Sequence, residues 1–102
     1  MLELRPTCEH CQRALPPDST EARICSFECT FCAACAEGLL CGVCPNCGGD
    51  FVRRPIRPRQ AWCPGASLVE HPPAGSAKHR AVDLGRHGDL LRRLAGRPAQ
   101  AR

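Results

Sequence analysis

The apolar positions of this chain fall in short runs, separated by proline, glycine and charged residues. Leu4, Leu15, Ile24, Phe27, Phe31, Leu39, Leu40, Val43 and Phe51 are the side chains expected to pack together, with Phe27 and Phe31 inside. "ARICSF", residues 22–27, predicts a short strand that pairs with "DFVRR", residues 50–54, in a small hairpin. "FCAACAEGLL", residues 31–40, predicts two or three helical turns ended by Gly38 or Gly42. Before the first strand, "LPPDSTEA" is a loop, because Pro16 and Pro17 bar a helix and Asp18 or Ser19 can cap a turn. Beyond Val52 the pattern changes. "RRPIRPR", residues 53–59, is an extended arm that displays its guanidinium groups, since proline blocks helix. "CPGASLVEHPPAGSAKH" reads as linker or disorder. "GDLLRRLAGRP" then predicts a short helix over 89–95, with Asp89 as its cap, Leu90, Leu91 and Leu94 on one stripe, and Gly96 and Pro98 as the stop. Such a piece is too short to be helical alone and needs a partner. No internal repeat is present.

Composition changes this picture, because there is too little to bury. With three Phe, one Trp, one Met and no Tyr in 102 residues, the chain cannot rely on a hydrophobic core. Chains of this kind need disulfides or metal. Ten cysteines supply the means, and seven of them fall within residues 25–47. The segment "MLELRPTCEHC" has no apolar run like a signal-peptide core, and no segment approaches transmembrane length. That points to the cytoplasm, where clustered cysteines are metal ligands more often than disulfides or free reactive thiols. The spacing is Cys8-x2-Cys11, then Cys25-x3-Cys29-x2-Cys32-x2-Cys35, then Cys44-x2-Cys47. A two-residue gap lets a turn aim both sulfurs at one ion while backbone N–H groups donate to them. Eight such ligands make two closed sites of four thiolates, the pattern of structural zinc, with an iron–sulfur cluster as the alternative.

The order of these ligands resembles the RING finger, with Cys29 where many RING domains carry histidine. The resemblance implies interleaved pairs: Cys8 and Cys11 share an ion with Cys32 and Cys35, and Cys25 and Cys29 share one with Cys44 and Cys47. Interleaving ties both ends of the segment together and closes longer loops. Sequential pairing, first four and last four, remains the rival because Cys29, Cys32 and Cys35 are evenly spaced. Over the whole domain, "MLELRPTCEHC", "LPPDSTEARICSFECTFCAACAE" and "GVCPNCGGDFVRRPIRP" resemble the bacterial cysteine-rich family known as domain of unknown function 1272. That implies a cytoplasmic zinc-type domain over about residues 1–59 and brings no activity. The expected fold is therefore a small metal-stabilised α+β domain, a RING-like cross-brace with a short hairpin and one short helix. Residues 60–102 are expected to follow as a largely disordered basic tail.

Charge divides the chain at the same place. Residues 1–50 carry three arginines against seven acidic groups, net −4, and residues 51–102 carry eleven basic groups against three acidic ones, net +8. Eight thiolates and two zinc ions would bring the formal +4 of the whole chain close to zero. Arg53, Arg54, Arg57 and Arg59 can then either neutralise thiolates of their own domain or bind an acidic partner. The function expected is a structural two-zinc module that contacts a protein partner without catalysis. A nucleic-acid-binding module using the arm Arg53–Arg59 is the alternative, although no aromatic residues interleave with its basic ones. Metal handling or thiol redox chemistry comes next. A RING-type ubiquitin ligase comes last, because only "AEGLLCGV" separates the third and fourth ligand pairs. No deaminase pattern is present, since no His-x-Glu precedes Cys-Pro-Asn-Cys. His10 lies within the first pair but is not needed as a ligand, and His71, His79 and His87 are expected to be solvated. Cys41 reads as a small buried hydrophobe, Cys63 as a free thiol, and Trp62 as an exposed or folded-back anchor.

Overall fold

Two turns of nearly identical construction begin and end the N-terminal half of the computed structural model, which describes residues 1–102. In the first, Gln12 N–H donates to Cys8 O at 3.0 Å and Cys8 N–H donates to Arg13 O at 2.9 Å. In the second, Gly48 N–H donates to Cys44 O and Cys44 N–H to Gly49 O, both at 2.8 Å. The fifth residue of each turn takes the left-handed conformation, Gln12 at φ 64 and Gly48 at φ 75. The chain must reverse there so that the two cysteines of each pair face one point, and glycine does this without steric cost. The sequence after "CPNC" offers Gly48 or Gly49 for this positive-φ turn; Gly48 takes it, and Gln12 occupies the equivalent place with a side chain.

Between these turns lies a three-stranded antiparallel sheet. β1 (Ala22–Ile24) is central, flanked by β2 (Thr30–Cys32) and β3 (Val52–Arg53). Arg23 pairs with Arg53 and Ile24 with Val52, which is the expected pairing of "ARICSF" with "DFVRR". On the other side Arg23 pairs with Phe31 and Ala22 with Cys32. Thr30–Cys32 therefore corrects the helical expectation for residues 31–40: Phe31 and Cys32 are strand. Only Ala34–Leu39 winds into one wide helical turn, closed by a bond from Leu40 N–H back five residues to Cys35 O. Strand residues all buried in a row, as Thr30, Phe31 and Cys32 are, show no alternation from which to tell them from helix.

The core is built from the sulfurs and a few hydrophobes. Cys8, Leu15, Ala22, Cys25, Cys29, Phe31, Cys32, Cys35, Ala36, Leu40 and Cys44 form one buried cluster, with Phe51 set edge-on to Phe31 at 5.6 Å between ring centres. Leu4, Ile24 and Val43 are buried as expected. Phe27 is not. It sits at the tip of the Cys25–Cys29 turn and is 71% exposed, because Glu28 at φ 66 reverses the chain beneath it. Leu39 and Cys41 are likewise exposed, and Cys41 stands at φ 54 with its thiol over Gly38 O.

The C-terminal half is ordered against this core, which corrects the expectation of a disordered tail. Ala74 N–H donates to Leu4 O, Arg80 N–H to Glu9 O, and Val82 N–H to His10 Nδ1. The helix is also longer than expected and starts earlier: α1 (Leu84–Leu94) is capped by Asp83, whose carboxylate accepts from Arg86 N–H, and Ala95 closes it at φ 50. Its partner is the core. His87, read as solvated, is only 3% exposed and donates from Nε2 to Leu40 O at 2.8 Å.

Candidate metal centre

The sheet and the two similar turns bring the cysteines into two groups. Strand β2 carries Cys32 to the first turn, and the helical turn after it delivers Cys35. The sulfurs of Cys8, Cys11, Cys32 and Cys35 all lie within 4.8 Å of one another. Cys11 and Cys32 are 3.7 Å apart, sulfur to sulfur. Four thiolates arranged tetrahedrally at roughly 2.3 Å from an ion stand about 3.8 Å from each other, so this spacing is that of a metal site. A disulfide would need about 2.0 Å, and none of the ten cysteines is so bonded. The second group forms where the β1–β2 turn meets the last pair: Cys25, Cys44 and Cys47 lie within 4.8 Å of one another. The grouping is therefore interleaved and not sequential.

Cys29, the remaining expected ligand, stands beside this second group and outside its close trio. Asn46 Nδ2 donates to its sulfur at 3.4 Å. Burial and the neighbouring Cys25 thiol push the Cys29 thiol up, against the lowering effect of Asn46. Asn46 went unnoticed in the sequence, where it fills an x position of a Cys-x2-Cys pair. Its signal is the amide that such a position can turn onto a sulfur.

The thiols are not equivalent. Burial drives those of Cys35 and Cys44 far above the ordinary range, and their neighbouring cysteines add to it. Burial acts in the same sense on Cys8, but the backbone groups of Cys11, Cys32 and His10 outweigh it and lower that thiol. Other sulfurs have main-chain donors as well: Phe27 N–H reaches Cys25 Sγ at 3.3 Å, and Gly49 N–H reaches Cys47 Sγ at 3.4 Å. Sulfurs that are buried, crowded and surrounded by N–H donors are held best as thiolates shared with a cation. The donor set fits a soft divalent metal at both places.

A buried ion pair links the two groups. Glu9, within the first turn, accepts from Arg5 Nη1 at 2.6 Å and from Thr30 N–H at 2.5 Å, while its own N–H donates to Thr30 O at 3.0 Å. Thr30 stands between Cys29 of one group and Cys32 of the other. Glu9 thus ties the first turn to the strand that runs from Cys29 to Cys32.

The expected partner-binding arginines divide. Arg53 and Arg59 are exposed, Arg59 standing near Asp18 at 3.8 Å. Arg54 is 1% exposed, and its guanidinium donates to the carbonyls of Arg5, Leu15 and Pro16 at 2.8–3.1 Å. Arg57 donates to Leu2 O and His71 O, both at 2.7 Å. These two guanidinium groups are engaged within the chain. His10 joins neither cysteine group, and its Nδ1 accepts from Val82 N–H at 2.9 Å. Cys63 and Trp62 are exposed.

Residues 1–57 match the model of a family described as Protein of unknown function (DUF1272). The chain is 59% identical over 78 residues to Uncharacterized protein R02474 of Rhizobium meliloti (strain 1021), a stretch covering 76% of this chain and 84% of that protein. No solved structure matches. The chain belongs to the DUF1272 family.

Proposed function

We propose that this chain is a structural zinc module of the cytoplasm, which holds two zinc ions in cross-braced thiolate sites, contacts a protein partner and catalyses nothing. The observation that carries this reading is the interleaved grouping of Cys8, Cys11, Cys32 and Cys35 against Cys25, Cys44 and Cys47, with Cys29 beside the latter. All-thiolate sets favour zinc among the abundant divalent ions, and four thiolates leave no coordination position for substrate or water. Small movements of Cys29 would close the second set. No helix is long and apolar enough to cross a membrane.

Protein contact is favoured over nucleic acid because half of the arginine arm is spent within the chain. A groove lined by Leu2, Ile24, Phe27 and Val52, with Glu28 and Asp50 at its rim, suits an apolar segment flanked by basic residues. Native mass spectrometry of protein purified without added metal tests the whole reading. Two zinc ions per chain are expected. One ion, an iron–sulfur cluster or four disulfides would overturn it.

A further inference from the structure

Four of the eight large apolar side chains that the chain leaves in water gather beside β3. Phe27 and Val52 line a groove of about 700 Å³ together with Leu2 and Ile24. Met1 adjoins Leu2, and Arg57 donates to Leu2 O, which brings exposed Ile56 to the same end of the groove. An apolar patch gathered in this way marks a surface that another chain covers. The strand beside it is open as well. β3 is hydrogen-bonded on one side only, since β1 is the central strand. Arg54 N–H donates to Ala22 O at 2.9 Å, and Ile24 pairs with Val52, so Arg53 between them turns its own N–H and C=O away from β1. An edge strand with outward-facing groups is a template for pairing with a further strand.

The charges around the patch say which strand that is. Asp50 and Arg53 lie on either side of Val52, both are exposed, and neither has an ion pair. Antiparallel pairing of β3 with the β3 of a second copy, across a twofold axis at Val52, sets Arg53 opposite Phe51 of the other copy and next to its Asp50. The same contact then forms twice, as a closed twofold interface requires. A foreign apolar segment with basic flanks would fill the groove but leave Arg53 and Ile56 in water. A second copy brings such a segment of its own, Val52 and Arg53 followed by Ile56, and covers both. The arm cannot turn into the groove of its own chain. Arg54 holds it to the carbonyls of Arg5, Leu15 and Pro16, and Arg57 holds it to those of Leu2 and His71.

We propose that the chain forms a twofold dimer through β3, in which the apolar patch of each copy covers that of the other and Asp50 of each meets Arg53 of the other. The dimer rests on the reading of this groove as a protein-contact surface, and it names the occupant. It does not depend on which metal the cysteines hold.

Sedimentation velocity of the full-length protein as purified, over a range of concentrations, tests this. A monomer–dimer equilibrium is expected. Asp50→Arg and Arg53→Asp each set like charges against one another twice, and each should weaken the dimer at least about tenfold. An equimolar mixture of the two variants restores both opposite-charge contacts, so a mixed dimer of near wild-type affinity is expected. Phe27→Ser, at a side chain the fold leaves in water, should also weaken the dimer about tenfold. Native mass spectrometry of the same samples counts zinc and copies together. A monomer that carries two zinc ions overturns the dimer and leaves the metal reading standing, whereas a dimer without zinc keeps the dimer and overturns the metal reading. Charge reversals that leave the dimer unchanged, or a mixture of variants that stays monomeric, would each overturn the proposal. So would a monomer whose Leu2, Phe27 and Val52 amides shift in NMR with a lysine-flanked valine peptide, since the groove would then take a foreign segment.

Discussion

At the scale of single residues, the side chain with most to lose is Arg54. A guanidinium is hard to bury, and burial here lowers its pKa with no carboxylate nearby to offset the cost. It stays charged because three carbonyls of the first turn and loop meet its planar fork. Lysine offers a point charge and a shorter reach, so Arg54→Lys should cost roughly 2–3 kcal/mol in denaturant unfolding, as lost bonds to a charged group do. An arginine that served only a partner would unfold at the same denaturant concentration after substitution. Gly49 makes a subtler demand. A methyl group there would sit 3.3 Å from Cys47 Sγ, closer than most such contacts, and would push a ligand by tenths of an ångström. Metal sites tolerate about 0.2 Å, so Gly49→Ala should weaken metal at the second group about tenfold, as loss of a supporting contact does, and spare the first. Competition against a chromophoric chelator reads both sites, and equal weakening of the two would refute this account. Of these residues only the glycine could be suspected from sequence, because a buried arginine and an exposed one share one letter in "RRPIRPR".

Between elements, the sheet and the ligand pairs were legible to different degrees. The β1–β3 pairing could be read because Ile24 and Val52 are β-branched and lie in short segments, "ARICSF" and "DFVRR", bounded by turn residues. β2 could not, since three buried residues followed at once by a helical turn show neither period. The pairing of ligands was left open by spacing alone and follows from the sheet: β2 antiparallel to β1 carries Cys32 away from Cys29 and toward the first turn. Nor did sequence indicate that Glu9 links the two groups, although Arg5 and Glu9 are four residues apart. Glu9→Gln keeps an acceptor for Thr30 N–H but leaves Arg5 buried beside a neutral amide. Breaking a buried pair from one side costs about 3–5 kcal/mol, and the loss here should fall toward the lower figure because the amide still accepts. Thermal unfolding checks it. Adding Arg5→Met should recover part of the loss, whereas two independent residues would give additive losses.

For the molecule as a whole, stability should fall with falling pH. Burial alone pushes the Cys35 and Cys44 thiols up, toward the protonated form, so only a bound cation holds them as thiolates inside the fold. With metal bound, their folded pKa values lie below the unfolded ones, and stability is lost as pH falls and protons displace the ion. The unfolding temperature of the metal-bound protein should therefore drop on acidification, and a temperature that holds constant while metal is released would refute this. The final prediction concerns what the metal holds in place. Structural zinc contributes roughly 10–16 kcal/mol, as much as or more than the net stability of a small domain. With so few large hydrophobes, chelation should unfold residues 1–52, and Cys35→Ser should do the same, while Cys63→Ser, at an exposed thiol, should be nearly silent. A disordered tail would register none of this. This tail, however, is fastened to Leu4, Glu9, His10, Leu40 and Gly48, five times through the carbonyl oxygens of the first half and once through the His10 ring. Composition could not show those ties, because they use main-chain atoms and a histidine that no apolar period marks. An eleven-residue helix with three glycine- or aspartate-weakened positions, Gly85, Gly88 and Asp89, will not stand alone. Amide exchange at Ala74, Arg80, Val82 and through α1 should therefore accelerate together with the core when metal is removed. Protection that persists in residues 1–52 after chelation would make the metal a passenger, and protection that persists only in α1 would make the tail a separate folding unit.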